Sequence, residues 1–96
     1  MVHLDHVQNY DGSLAELAQE LGDLKYDSLA EFLQLLSAKI AQDGAKDSAR
    51  GRGKLAAHLH RCAETLHEAA NECHHAWTIC EPFMKPSDDD SPKNGH

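Results

Sequence analysis

The sequence predicts an all-α protein: a short N-terminal helix followed by an antiparallel helical hairpin that dimerises into a four-helix bundle. Three observations predict it. The prolines, Pro82, Pro86 and Pro92, all fall near the C-terminal end of a 96-residue chain. Residues 1–81 are therefore free of the strongest helix breaker. Leucine and alanine dominate the apolar set, and leucines recur at steps of three and four, the period of a helical stripe. The chain divides into an N-terminal arm (1–12), a helical domain (13–84) and a disordered acidic tail (85–96).

The arm, MVHLDHVQNYDG, has weak apolar alternation and ends in the turn-like Asp11-Gly12. Ser13 with Glu16 fits a capping box, in which the serine hydroxyl and the glutamate carboxylate each satisfy a free backbone N–H at a helix start. The first helix follows over 14–24, with Leu14, Leu17, Leu21 and Leu24 on one stripe. That stripe fails at Ser28 and Glu31, so a turn is expected near Lys25–Asp27. Ser28 with Glu31 repeats the capping box, as one local solution used twice rather than as a structural repeat.

The second helix is expected over 29–43. Leu29, Phe32, Leu33, Leu36 and Ile40 face one way, and Leu35 lies off that stripe as a hint of a second contact surface. GAKDSARGRG (44–53) holds three glycines and no large apolar residue, and reads as the hairpin loop, although its alanine-rich first half could extend the second helix. The third helix, about 54–80, is the longest. A seam from Leu55 through Leu59, Cys62, Leu66, Ala69 and Cys73 to Cys80 alternates in steps of four and three, a sustained heptad pattern. Trp77 and Ala70 widen it on one side, and Pro82 ends it. The expected core is Leu33, Leu36, Ile40, Leu59, Leu66 and Trp77. A two-helix hairpin buries little, so a homodimer is expected.

The formal net charge is −7. This disfavours membrane surfaces and makes nucleic acid an unlikely partner. No apolar run approaches the length of about 20 residues needed to span a membrane. No basic region followed by an apolar run marks a signal peptide. Three cysteines without a CxxC pair fit a cytoplasmic chain with reduced thiols.

Chemistry concentrates in HLHRCAETLHEAANECHH (58–75), which contains five of the eight histidines. At 100° per residue, His60, His67 and His74 form one stripe at the border of core and water, with Glu64 and Asn71 outside it. Two readings follow. In the first, the imidazoles are an interface rim, and their charging on mild acidification weakens association. In the second, they are metal ligands. Glu64-Thr65-Leu66-His67 and Glu72-Cys73-His74-His75 both read Glu-x-x-His, which resembles the ligand motif of ferritin-like di-iron carboxylate bundles. That resemblance implies a zinc or iron site at Glu64 and His67, extended by His60 and His74, with a partner chain supplying a second copy. His60 and His67 lie about 10.5 Å apart along the axis, so one ion cannot join them without Glu64 and a second chain.

The basic loop SARGRGK supplies a weaker alternative, in which Arg50, Arg52 and Lys54 bind an anion through forked guanidinium groups and glycine-flanked backbone. It lacks the GxxxxGK[ST] spacing of a phosphate-binding loop. The reading that best fits the whole sequence is a small noncatalytic helical module for protein interaction or oligomerisation, with no cofactor of its own.

Overall fold

The computed structural model describes residues 3–83. Those residues form three α-helices: α1 (Leu14–Gly22), α2 (Tyr26–Ala49) and α3 (Gly53–Cys80), followed by a 3₁₀ turn at Glu81–Phe83. Helices α2 and α3 pack along their length as the antiparallel hairpin, while α1 forms no comparable interface with either. The expected acidic tail lies outside the described residues.

The start of α1 follows its sequence. Ser13 Oγ accepts from the Glu16 N–H at 3.1 Å, and Glu16 Oε1 accepts from the Ser13 N–H at 2.7 Å. The arm folds back on this helix through the Tyr10 hydroxyl, which donates to Glu20 at 2.9 Å. Gly12 permits that fold, because a Cβ there would lie 2.7 Å from the Tyr10 ring and 2.8 Å from the Glu16 carboxylate. Helix α1 ends at Gly22, two residues short of expectation, so Leu24 falls outside it, and the stripe of Leu14, Leu17 and Leu21 is only partly covered. No α1 residue is buried, and Leu14 is 59% exposed.

The second capping box does not form. Helix α2 begins at Tyr26, three residues ahead of the expected start, with Lys25 as its N-cap and no side-chain cap. Ser28 therefore lies inside the first turn, where Leu29 N–H already bonds to Lys25 O at 2.9 Å. The far end also differs from expectation. The helix runs on through Gly44 to Ala49, so the loop shrinks to residues 50–52. Ala45, Ala49 and the lysine at position 46 are good helix formers, and they outweigh one glycine. Gly51 makes the reversal, at φ 81° in the left-handed region that favours glycine.

The seam between the helices is made of the smallest residues available. Ala30, Ala56, Ala63 and Ala70 are the buried apolar residues, with Gly44 buried beside them. They repeat every seven residues along α3, and Ala30, Ser37 and Gly44 do the same along α2. Ser37 Oγ donates across the seam to Ala63 O at 2.7 Å, so backbones approach to within a single short side chain. The expected α3 seam is thus corrected. Its inner edge, Leu59, Leu66, Cys73 and Cys80, is half-buried, but Leu55 and Cys62 are exposed. The helix is turned by about half a residue step so that alanines meet the partner helix. Close antiparallel approach selects for small volume at the contact, and the larger leucines flank it.

Candidate functional site

In an antiparallel pair with an a/d seam, the g positions of both helices lie on one face and the e positions on the other. Here a is Ala30, Ser37 and Gly44 on α2 and Ala56, Ala63, Ala70 and Trp77 on α3. The g positions then include Leu29 and Leu36 on α2 and Leu55, Cys62 and Ala69 on α3, with Phe32 beside them. This is a leucine face. The e positions are Gln34, Ala41 and Ser48 on α2 and His60, His67 and His74 on α3. This is an imidazole face.

The leucine face is open. Leu29 and Leu36 are half-buried, Phe32 is 37% and Leu55 45% exposed, and Cys62 is exposed with a free thiol. On this side Lys39 Nζ donates to Asp43 at 2.6 and 2.8 Å. That hydrogen bond holds the Asp43 carboxyl below the ordinary carboxylate range. His58 stands at the rim, 3.4 Å from the Arg61 guanidinium.

On the opposite face His60, His67 and His74 are exposed, as is Glu64. The His60 ring lies over Gly44, where an added Cβ would meet it at 3.1 Å. Among the described residues, no three His, Cys, Asp or Glu side chains gather closely enough to hold a metal ion. The structure thus places the four expected ligands along one helix without bringing them together, and a complete set would need side chains from another chain.

The loop holds a feature that sequence reasoning missed. Asp47 is fully buried, and its Oδ1 accepts from Arg52 Nη1 at 3.1 Å. Its backbone carbonyl accepts from the Arg50 and Arg52 N–H groups at 3.1 and 2.8 Å. One of the three expected anion-binding residues is thus engaged within the chain, although Arg52 remains 58% exposed with donors to spare. Arg50 and Lys54 are exposed. The sequence signal was present: Asp47 is the one acid among five bases between residues 44 and 61.

At the other end of the hairpin, Lys25 Nζ lies 5.6 Å from the centroid of the Trp77 ring, a cation–π contact between the N-cap of α2 and the end of α3. Along the outer side of α3 a shallow groove is lined by Thr65, Glu68, Asn71, Glu72 and His75, all on that one helix. Among the described residues no helix is long and apolar enough to cross a membrane. No protein-family model matches the chain, and neither the curated proteins nor the solved structures contain a significant match.

Proposed function

We propose that this chain is a noncatalytic helical interaction module that works as a homodimer, two hairpins closing into a four-helix bundle. One observation carries the reading. The described structure is a single helical layer, 15 Å through its thinnest dimension and 54 Å through its longest, whose buried apolar residues are four alanines. Stable domains bury apolar surface between at least two layers. The leucines, isoleucines and phenylalanines that would build such a core are half-buried or exposed.

A short chain with this balance gains its second layer by association. Binding energy then comes from apolar side chains on rigid helices, which suits a scaffold or a regulatory adaptor held in a fixed geometry. A cytoplasmic setting fits three cysteines that form no disulfide.

Sedimentation velocity on untagged protein, from about 1 to 100 µM, tests this against the range where dimers of standard interface size dissociate. A species of twice the chain mass supports the module. A monomer with native far-UV dichroism across the range rejects it. Elemental analysis of the same preparation tests the metal alternative, which requires stoichiometric zinc or iron lost on His67→Ala.

A further inference from the structure

The two faces of the hairpin are chemically unlike, and the difference indicates how the dimer is built. We infer that the second copy covers the leucine face, and that the imidazole face with His60, His67 and His74 is turned outward. This rests on the homodimer reading and adds to it which surface is used.

Four observations converge. First, most of the hairpin's half-buried or exposed apolar groups outside the seam share one side: Leu29, Phe32 and Leu36 from α2, with Leu55, Cys62 and Ala69 from α3. A helix with apolar a, d and g positions is built to bury its g flank as well as its seam. Second, the e positions are polar or small on both helices, and their imidazoles lie in water. Third, the charges on the leucine side balance: Lys39 pairs with Asp43 within the chain, and the exposed Lys46 and Glu72, at the same c positions as Lys39, are of opposite sign. A second copy presents the same neutral surface and meets no repulsion.

Fourth, the size fits. The overlap of α2 and α3 is about 24 residues, or about 36 Å at the helical rise, and two adjacent helices are about 20 Å across. The face therefore covers about 700 Å², close to the roughly 800 Å² per partner of a stable dimer. A two-fold axis normal to this face makes it self-complementary, as closed symmetric dimers require. Ile79, 71% exposed, shares the Phe32 side at the end of α3, whereas Leu35, 64% exposed, stands outside the face, and nothing in the structure explains its exposure.

The test compares full-length chains substituted on the two faces, with circular dichroism as the check on folding. Leu36→Asp should raise the dimer dissociation constant at least about a hundredfold, since it places an unpaired charge in a desolvated core. Ala41→Asp on the imidazole face should change it less than about threefold. Wild-type protein supplies a readout that does not depend on a variant folding. Cys62 is exposed in the chain but lies on the leucine face. Its reaction with a thiol reagent, followed by peptide mass analysis, should therefore slow as protein concentration rises through the dissociation constant.

A dimer broken by Ala41→Asp and spared by Leu36→Asp overturns the face assignment while leaving the homodimer standing. So does a dimer in which Cys62 reactivity is independent of concentration. A wild-type chain that is monomeric throughout overturns both.

Discussion

Gly44 is buried inside α2 beneath the His60 ring, and Gly44→Ala measures how much room that ring leaves. Two effects oppose each other. Glycine in a helix interior is about 1 kcal/mol less favourable than alanine, so the substitution gains about that much. Against it, the new Cβ would lie 3.1 Å from His60 Cε1 and 3.3 Å from both ring nitrogens. These are side-chain atoms of an exposed ring, with room to move by the few tenths of an ångström required. Displacing such a ring costs about 0.5 kcal/mol when it leaves its preferred rotamer. The net expectation is stabilisation by about 0.5–1 kcal/mol, or a Tm higher by about 2–8 °C for a domain of this size. Urea and thermal unfolding at one fixed chain concentration provide the assay, because association contributes to apparent stability. In a His60→Ala background the clash is gone, and the gain should approach the full helix-propensity value. Destabilisation by more than about 1 kcal/mol in both backgrounds would refute the reasoning. It would mean that Gly44 meets the backbone of α3 rather than an adjustable ring.

Four further outcomes are expected. Ala63→Leu, at a buried position facing Ser37, should destabilise by about 1–3 kcal/mol in urea unfolding, while Ala57→Leu on the exposed side should change little. Arg52→Ala leaves the Asp47 carboxylate buried without its partner and should cost about 3 kcal/mol, part of which the Asp47→Ala/Arg52→Ala double variant recovers. Tyr10 has its phenol raised above the ordinary value, first by desolvation and then by its hydrogen bond to Glu20. The arm is accordingly held fully at pH below the unfolded tyrosine value and released as pH rises through the folded one. Absorbance titration of Tyr26→Phe protein should follow it, and Glu20→Gln should lower the value only in part. Acidification from pH 7.5 to 5.5 should change dimer affinity by less than about threefold. His60, His67 and His74 lie about a helix diameter from the proposed interface, near the screening length at physiological salt, and His58, Lys39, Lys46, Asp43 and Glu72 are the ionisable groups beside it. A dimer loosened by acid would instead favour the reading of the imidazoles as an interface rim.

The outline of the fold was legible in the sequence because its signals are local. The Ser13–Glu16 box, the three leucines of α1, the seven-residue rhythm of α3 and its stop at Pro82 each act within a few turns. What misled was ranking residues by hydrophobicity. Leu55 and Cys62 outscore Ala56 and Ala63, yet volume rather than apolarity decides what fits between two backbones in close approach. A helix wheel admits both seams, only about half a residue step apart, and the choice depends on the partner helix. The end of α2 was left open between residues 43 and 49 for a related reason. Gly44 reads as a breaker in isolation, but here the lack of a side chain makes room for His60. Asp47 was legible as an outlier of charge and illegible as a buried group, because its burial follows from where Gly51 turns the chain. The histidine stripe was placed on the correct flank of α3. What that flank faces was beyond the reach of one helix considered alone.

The most direct test of the central claim, that each hairpin is half of a core, is an isotope-filtered NOE experiment on dimer mixed from labelled and unlabelled chains. The account predicts intermolecular contacts from the Phe32 ring and the Leu36 methyls, and none from the His67 or His74 rings. Intermolecular contacts from the imidazoles with none from Phe32 or Leu36, or no intermolecular contact at millimolar concentration, would contradict it.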